Sequence, residues 1–307
     1  MVQENSLGKI LVICGPTASG KTALAVECAK LLGSEVVSAD SMCVYKRCNI
    51  GTAKPSAEEM QGVKHHLIDV VEPTENFSVG EYRELALPIV RGIIENGKIP
   101  VICGGTGFYI NSVLYNLSYG NSIADAAVRA KYENILNEFG KEKLHEMLEE
   151  CDPESAKVLH VNDVKRVVRA LEIYEVSGRK KSSYTDDLTP IFDYSSFSID
   201  FEREELYERI NLRVDQMLEA GLIDEVKGLL ASGIKVSDQC MQGIGYKEVC
   251  EGLDKNLSVE EISESIKFNT RHYAKRQITF FKRDPRLVYL KKNDVKNLAQ
   301  QIIDKIR

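Results

Sequence analysis

The stretch ICGPTASGKTALA, residues 13–25, constrains the fold of this chain more than any other. It contains the pattern G-x-x-x-x-G-K-[ST], in which backbone N–H groups cradle a phosphate, the lysine reaches the terminal phosphates and the hydroxyl holds Mg²⁺. An apolar run at 9–14 suits a buried parallel strand, and 22–30 continues as a helix whose N-terminus favours anions. We therefore predict a phosphate-binding loop. Its residues are Gly15, Pro16, Thr17, Ala18, Ser19, Gly20, Lys21 and Thr22.

The periodicity of the chain predicts its architecture. Apolar runs at 35–40 and 99–103 resemble further parallel strands and alternate with helical stretches. The following segment is helix-rich and charged, and strand character returns at 192–201. We predict an α/β fold with a P-loop NTPase-like parallel sheet core and an inserted helical domain. The expected boundaries are 1–116 and 191–307 for the catalytic core and 117–190 for the insert.

Composition narrows the class of protein. A chain of 307 residues with 43% hydrophobic content can bury one large core, or one core and a smaller domain. The eight cysteines include no C-x-x-C pair, which favours reduced thiols in a cytoplasmic protein over a disulfide framework or a zinc site. Because a basic leader and an apolar run of about 18 residues are both missing, we expect neither export nor a membrane span.

Charge is distributed unevenly along the chain. The net charge of −6 argues weakly against a nucleic-acid partner. Phosphate contacts, however, act within a Debye length of about 8 Å, so local clusters matter more than the sum. Basic clusters occur at 165–169, at 179–181 and at 271–286, where aromatic residues are interleaved. A solvated helix face is the alternative interpretation for any one cluster, but three in an acidic chain favour a polyanionic partner.

Candidate site residues follow two further predicted strands. Asp40 and Ser41 come after the second strand, and Thr106 follows a later one within the segment CGGTGFY. The carboxyl ends of parallel strands are where such sheets bind ligands. Asp40 could hold Mg²⁺, act as a general base or cap a helix, and Thr106 could be a tight-turn residue. The strand-end acid that motor ATPases use is absent, and so is the N-K-x-D motif by which GTPases bind guanine. The sequence therefore argues against a motor ATPase and against a GTPase.

Eight segments together match one family in order and separation: GPTASGKT, SADSM, IGTAKP, HHLIDVVEP, GGTGFY, NDVKRVVRALE, QGIGYKE and RHYAKRQITFF. The chain resembles the tRNA dimethylallyltransferases, which transfer a dimethylallyl group from its diphosphate to N6 of the adenosine beside the anticodon, adenosine-37. One residue departs from the pattern. Many relatives carry glutamine where this chain has Cys43, and a thiol lacks the paired donor and acceptor of an amide.

The resemblance implies a mechanism and its site residues. Asp40 would accept the N6 proton, while the loop amides, Lys21, Mg²⁺ near Thr22 and Arg213 would stabilise the leaving diphosphate. The implied catalytic residues are Asp40, Thr22 and Arg213, and Thr22 is the metal ligand. The implied tRNA contacts are Asp40, Ser41, Met42, Cys43, Thr106, Arg129, Lys165, Arg166, Val167, Val168, Arg169, Gln242, Gly243, Ile244, Gly245, Tyr246 and Lys247.

The partners implied by the resemblance are dimethylallyl diphosphate and the anticodon stem-loop of tRNA, whose target base must be flipped out of its stack. We expect a monomer, without a membrane partner. Two other functions stay open on the sequence alone. One is a nucleotide kinase-like enzyme or a prenyltransferase acting on free adenylates, and ATP binding is indicated by the loop motif. The other is a non-catalytic RNA-binding ATPase module, in which the basic helices matter and Asp40 does not.

Overall fold

The structure is a computed structural model that describes residues 7–118 and 125–306. Its β-strands are β1 Lys9–Cys14, β2 Val36–Ser38, β3 His65–His66, β4 Val101–Gly104, β5 Tyr115–Asn116, β6 Asp187–Pro190, β7 Asp193–Asp200 and β8 Leu287–Lys291. Its α-helices are α1 Lys21–Leu32, α2 Ala57–Met60, α3 Val79–Glu95, α4 Gly107–Leu114, α5 Ala126–Cys151, α6 Pro153–Val158, α7 Val164–Ser177, α8 Arg203–Glu219, α9 Leu222–Ala231, α10 Tyr246–Asp254, α11 Val259–Phe281 and α12 Val295–Ile306. No helix in these ranges is long and apolar enough to cross a membrane.

Contacts divide the chain into two compact units. Unit 1 comprises Met1–Leu114 and Pro190–Arg307, and unit 2 comprises Tyr115–Thr189. Because the first unit is assembled from two separate stretches, its sheet depends on strands that are distant in sequence. The assignment of these units to catalysis and to tRNA contact stays a prediction.

Unit 1 is built on a six-stranded sheet in the order β3-β2-β4-β1-β7-β8. Every neighbouring pair of strands is parallel. Strand β1 lies between β4 and β7, and Leu11 and Ile13 within it are completely buried. A strand buried on both faces needs a continuous apolar run, which is what residues 9–14 supply. The predicted α/β class and its parallel sheet are confirmed.

One hydrophobic core fixes the helix that follows the first strand. Leu24 and Cys28 of α1 pack into the same cluster as Val101 of β4 and Leu298 of α12. Helix α1 begins after Gly20 and ends before Gly33, and both glycines have the left-handed backbone conformation that other residues adopt only with strain. The sequence thus sets both ends of α1, and the core holds the helix against the sheet.

Unit 2 has a core of its own, formed by α5, α6 and α7. Tyr132, Leu144, Leu148 and Leu171 are buried there. Val167 belongs to the same cluster, with a side chain only 1% exposed. The Val167 side chain thus faces the core from the inner side of the amphipathic helix α7, and the tRNA contact at this residue stays a prediction that would use its backbone.

Candidate active site

The carboxyl ends of the central strands open onto a cavity of about 380 Å³ in unit 1. Helices α8 and α11 and the segment 242–244 complete its wall. The cavity brings together many of the predicted site residues, although they are far apart in sequence. These are Thr17, Ala18, Lys21, Thr22, Asp40, Ser41, Met42, Cys43, Arg213, Gln242, Gly243 and Ile244.

The phosphate-binding loop occupies the turn between β1 and α1. Gly15, Ala18 and Gly20 have φ angles of 142°, 61° and 78°. A Cβ atom at Gly15 would lie 2.7 Å from the Ser198 hydroxyl oxygen, so glycine is required there for space as well as for conformation. Alternating backbone conformations of this kind form concave nests of N–H groups that bind anions. The predicted loop therefore has the backbone shape that its motif indicates.

Two side chains from unit 1 hold the loop in place. Gln277 of α11 is 5% exposed, and its amide oxygen accepts a hydrogen bond from the Thr17 N–H at 2.9 Å. Its amide nitrogen donates to the Gly105 carbonyl at 2.9 Å, and a Cβ at Gly105 would lie 2.2 Å from that nitrogen. Arg209 of α8 donates from Nε to the Ala18 carbonyl at 2.8 Å. Neither Gln277 nor Arg209 was predicted from the sequence, although Gln277 lies within the family-like segment RHYAKRQITFF.

Lys21 and Arg213 supply positive charge to the cavity. The Lys21 ammonium donates to the Pro16 carbonyl at 3.2 Å, and an Arg213 Nη donates to the Ala53 carbonyl at 3.4 Å. Burial lowers the pKa of both groups, and the charge of Asp40 opposes that shift in each case. No salt bridge joins either cation to a carboxylate among the described residues. Two desolvated cations without an acidic partner are suited to an anionic ligand.

Asp40 stands just past β2 with one carboxylate oxygen engaged. Its Oδ1 accepts hydrogen bonds from the N–H groups of Met42 at 2.9 Å and Cys43 at 3.3 Å. In the part of the chain that the structure describes, Oδ2 has no hydrogen-bond partner. Capping of the turn and proton acceptance, which were alternatives on the sequence, are therefore compatible because they use different oxygens.

Thr106 fastens the loop after β4 to the loop that carries Asp40. Its hydroxyl oxygen accepts a hydrogen bond from the Ser41 N–H at 3.0 Å, and the same hydroxyl lies 3.3 Å from the Ser41 hydroxyl. Tyr273 of α11 lines the cavity beside this pair. Burial and the charge of Asp40 raise the pKa of Tyr273 to about 12, so its phenol stays a neutral hydrogen-bonding group. The positions of Thr106 and Tyr273 in the sequence did not reveal that these side chains lie beside Ser41.

Two predicted contact residues have side chains that serve packing. Tyr246 is fully buried, its hydroxyl donates to Glu225 Oε1 at 2.6 Å, and its ring would clash with any Cβ at Gly51. The Tyr246 side chain therefore has a structural role, and the tRNA contact at this residue stays a prediction that would use its backbone. Cys43 is 6% exposed, and its thiol lies 3.8 Å from the Thr52 carbonyl. The hydrogen bond from the Cys43 N–H to Asp40 uses the backbone, so it can form with a thiol here as well as with the glutamine of many relatives.

The segment 242–247 divides between buried and exposed residues. Gly243 and Gly245 are buried, and a Cβ at Gly243 would lie 2.3 Å from the Met42 methyl carbon. Gln242 and Lys247 are exposed. The Gln242 amide nitrogen donates to the Val236 carbonyl at 2.7 Å. The exposed pair and Ile244, which is half-buried and faces the cavity, remain the predicted contacts of this segment.

The remaining predicted residues lie in unit 2 and interact with its acids. Arg129 and Arg169 both bind Glu172, with contacts of 2.8 and 2.6 Å, and the Glu172 side chain is completely buried. Arg166 pairs with Asp163 at 3.0 Å. Lys165 is exposed, and Val168 is half-buried against the unit 2 core. Glu172 was missed because a carboxylate in the middle of an amphipathic helix is typical of an exposed face.

The residues at the loop fit a magnesium ion held mainly by a ligand's phosphates. Among the described residues, no cluster of three or more His, Cys, Asp or Glu side chains could hold a metal by itself. The hydroxyl-bearing residue Thr22 is the second residue of α1 and lines the cavity, while the buried Ser19 hydroxyl has no hydrogen-bond partner within the described ranges. Mg²⁺ binds through few protein ligands and keeps waters or phosphate oxygens, so a single hydroxyl is an adequate anchor.

Comparisons with known proteins give one family. The family described as IPP transferase matches residues 43–284. A tRNA dimethylallyltransferase of Acetivibrio thermocellus is 46% identical over 291 residues, covering 94% of this chain and 93% of the relative. A tRNA dimethylallyltransferase of Bacillus mycoides is 45% identical over 276 residues, covering 89% and 87%.

Solved structures agree with the sequence comparisons. The full-length tRNA isopentenylpyrophosphate transferase of Bacillus halodurans has a TM-score of 0.72 and 41% identity, covering 97% of this chain and 96% of that one. A eukaryotic dimethylallyltransferase acting on tRNA has a TM-score of 0.78 and 30% identity, covering 97% and 77%. The resemblance predicted from eight segments is confirmed, and the chain belongs to the IPP transferase family of tRNA dimethylallyltransferases.

Proposed function

We propose that this chain transfers the dimethylallyl group of dimethylallyl diphosphate to N6 of adenosine-37 in tRNAs, giving N6-(dimethylallyl)adenosine. The observation that carries the proposal is one cavity in which a phosphate-binding loop and two cations face a strand-end carboxylate. A kinase site would share the loop. Membership of the family, however, indicates a prenyl donor and a tRNA acceptor. Adenosine-37 is a base of the anticodon loop, where unstacked bases can be read individually.

The donor end of the cavity stabilises a leaving diphosphate. When the bond between the allylic carbon and the diphosphate oxygen breaks, the electron pair stays on the diphosphate. Lys21, Arg213 and the N–H groups of residues 15–22 supply the positive charge and donors that this oxygen needs. Because both cations are partly desolvated before the ligand arrives, their interaction with the developing charge is stronger than it would be in water.

At the acceptor end of the cavity the nucleophile is N6 of the adenosine, which is weak. As N6 forms its bond to the allylic carbon, a proton leaves N6, and Asp40 Oδ2 takes it as general base. The two N–H groups that bind Oδ1 keep the carboxylate in one orientation. The target adenosine must leave its stack to reach this oxygen, at a cost of a few kcal/mol.

Thr22 is the residue that would hold Mg²⁺. When bound, the ion would neutralise part of the diphosphate charge. The same nest of N–H groups accepts any terminal phosphates, so ATP can compete for the loop without taking part in the reaction. We further expect the enzyme to act as a monomer in the cytoplasm, where its acceptor is found.

One assay tests the proposal directly. Purified protein, unmodified tRNA, Mg²⁺ and radiolabelled dimethylallyl diphosphate are incubated without any nucleotide, and the tRNA is digested for mass spectrometry of its nucleosides. Label in tRNA as dimethylallyl adenosine is the expected result. A strict requirement for ATP, or tRNA-stimulated ATP hydrolysis without prenylation, would contradict the proposal.

Asp40→Asn tests the assignment of the base. The amide keeps the shape and an oxygen for the Met42 and Cys43 N–H groups but removes the proton acceptor. We expect turnover to fall by about 10²–10⁴ while tRNA affinity is nearly unchanged. If turnover survives and binding collapses, Asp40 is a contact residue and the base lies elsewhere.

A further inference from the structure

One carboxylate of α9 binds donors from two separate segments of unit 1, and the proposed chemistry does not use it. Glu225 accepts hydrogen bonds from three successive backbone N–H groups, those of Asn49 at 3.0 Å, Ile50 at 2.9 and 3.1 Å and Gly51 at 3.1 Å. It also accepts one from the Tyr246 hydroxyl at 2.6 Å. Both oxygens of the carboxylate are therefore engaged, and each accepts from more than one donor.

The three N–H groups belong to a tight turn of residues 49–54, which we call the Ala53 turn. The Ala53 N–H donates to the Ile50 carbonyl at 2.9 Å, and the Lys54 N–H donates to the Asn49 carbonyl at 3.1 Å. Ala53 has a φ of 47°, a left-handed conformation that alanine adopts only with strain. Such strain persists where the surrounding contacts over-determine the backbone, and it is concentrated at functional sites. The turn is thus held in a shape that an alanine does not favour.

The Ala53 turn contributes to the wall of the active-site cavity. Gly51, Thr52 and Ala53 line the cavity, whereas Glu225 is not among the described residues of its wall. The Ala53 carbonyl accepts a hydrogen bond from an Arg213 Nη at 3.4 Å. In the part of the chain that the structure describes, the Arg213 side chain has no other hydrogen-bond acceptor. The direction of the guanidinium therefore depends on where the turn places this carbonyl.

Other contacts fix the Ala53 turn without binding the N–H groups that Glu225 binds. The Lys54 ammonium donates to the Asn49 side-chain oxygen at 2.9 Å. The Tyr246 ring packs against Gly51, where a Cβ would lie 2.4 Å from it. An N–H group that loses its acceptor in a partly buried place is unfavourable, so the turn would rearrange without the carboxylate. Glu225 is thus the contact that sets the orientation of this part of the turn.

We propose that Glu225 is a positioning residue for Arg213. By binding three N–H groups of the Ala53 turn, it keeps the Ala53 carbonyl directed at the guanidinium. The guanidinium has five N–H donors, and those that the carbonyl does not use are directed at the leaving diphosphate. This inference rests on the proposed function for the identity of that anion. Glu225 itself acts only through Arg213.

The first test measures diphosphate binding without catalysis. Isothermal titration calorimetry with inorganic pyrophosphate and Mg²⁺ compares wild type, Glu225→Gln, Arg213→Gln and the double variant. An amide offers one acceptor oxygen where the carboxylate offers two, so at least one N–H group of the turn loses its partner. We expect Glu225→Gln to weaken pyrophosphate binding about tenfold when Arg213 is present and less than about twofold when it is replaced, because residues that act through one another are not additive. The loop and Lys21 keep binding measurable in the absence of Arg213.

The four proteins separate positioning from a structural role. A contact that only stabilised the fold would weaken pyrophosphate binding by the same factor with and without Arg213, and that result would overturn the proposal. An unchanged affinity of the Glu225→Gln variant would overturn it as well. Far-UV circular dichroism at the assay temperature monitors folding. If Glu225→Gln is unfolded, Glu225→Asp takes its place, since it keeps both oxygens on a shorter side chain, and a loss of about threefold is expected only when Arg213 is present.

The second test measures prenyl transfer. Glu225→Gln should lower turnover at saturating substrates by about ten- to a hundredfold, since a small misplacement of a catalytic group is costly, while tRNA affinity stays within about twofold. Asp224 is the matched control because it precedes Glu225 on α9, is exposed, and has no side-chain hydrogen bond or salt bridge with any described residue. Asp224→Asn removes the same charge and should keep turnover within about twofold. Equal losses in the two variants would contradict the role of Glu225.

The outcomes also keep this proposal and the proposed function apart. Label transfer by wild type together with additive losses in pyrophosphate binding rejects the role of Glu225 alone. Non-additive losses in pyrophosphate binding without label transfer reject the proposed function and leave Glu225 and Arg213 coupled at an anion-binding site.

Discussion

The basic residues of α5 and α7 and those in and directly after α11 look alike in the sequence but differ in the structure. In unit 2, Arg129 and Arg169 are both bound to the buried carboxylate of Glu172. In unit 1, Lys275, Lys282 and Arg283 have no salt bridge with any residue that the structure describes. The first group is partly neutralised by the protein itself, whereas the second depends on a ligand for neutralisation.

Pairing with acids affects what a basic cluster in a sequence can bind. Arginine has five N–H donors, so a pair bound to a glutamate can still contact a phosphate with the donors that remain. A buried carboxylate that holds two arginines also orients them, but it reduces the net charge that RNA would meet. We therefore expect the arginines of unit 2 to contribute mainly to stability and position, and the unpaired cations of unit 1 mainly to ligand affinity.

Lys21→Ala should have the largest effect on activity, because this cation has no salt bridge with any described residue and lies beside the proposed reacting bond. Loss of its charge should reduce prenyl transfer by about 10²–10³ at saturating substrates, as expected for a group that stabilises the transition state. Lys30 is the matched control, since it lies on the same helix and pairs with Glu27 at 3.1 Å. Lys30→Ala should keep turnover within about twofold. Similar losses in the two variants would contradict the distinction between paired and unpaired cations.

Glu172→Gln tests the paired cluster. The substitution leaves two arginines without a charged acceptor, and we expect it to lower the free energy of unfolding of unit 2 by about 1–3 kcal/mol at neutral pH. Chemical denaturation followed by circular dichroism measures the change. The same substitution should leave prenyl transfer at saturating tRNA within about threefold. An unchanged stability would show that Glu172 does not hold the arginines in solution.

The stability difference caused by Glu172→Gln should depend on pH. Burial raises the pKa of Glu172, but hydrogen bonds from Arg169, the Asp125 N–H and Arg129 outweigh burial and lower it below its ordinary 4.5. A carboxyl with a depressed folded-state pKa stabilises fully above its unfolded value and loses that contribution as pH falls through the folded value. Wild type and variant should thus differ most above pH 4.5 and converge in more acidic solution. A difference that grows with acidity would contradict the pairing.

Arg166→Gln with Arg169→Gln gives the smallest expected effect. Arg166 pairs with Asp163 at an exposed site and Arg169 with Glu172, so each keeps only part of its charge for a phosphate. We expect the salt slope of tRNA binding to fall by about one unit. Fluorescence anisotropy with labelled tRNA at several salt concentrations measures the slopes of wild type and variant. An unchanged slope would show that these two arginines do not contact phosphates.

Local signals in the sequence were sufficient for the fold class and the loop. An apolar run followed by a glycine-rich turn predicted β1, the loop and α1, because backbone conformation and burial at these positions depend on neighbouring residues. Strand ends likewise drew attention to Asp40 and Thr106, since parallel strands point their carboxyl ends to one edge of the sheet. The cavity has Asp40 in its wall, and Thr106 binds the adjacent Ser41.

Side-chain direction could not be predicted in the same way. Val167 and Tyr246 occur in segments typical of the family, yet the structure buries both side chains. Gln277 and Glu172 are polar residues on helices, and each has a partner distant in sequence: Thr17 and Gly105 for Gln277, and Arg129 for Glu172. Helical periodicity indicates which residues share a face of a helix. It does not indicate which face packs against the core when apolar elements lie on two sides of the helix.

The amino-acid sequence was sufficient to predict a parallel α/β core with a phosphate-binding loop, because glycine positions and apolar runs act over a few residues. It also determined the family, because eight short segments in one order are jointly specific. Three-dimensional packing settled which cations keep a free charge. Lys275 and Arg129 have the same charge in the sequence, but a salt bridge requires a carboxylate within about 4 Å in space. Packing brings Glu172 of another helix to Arg129, and it brings no described acid to Lys275.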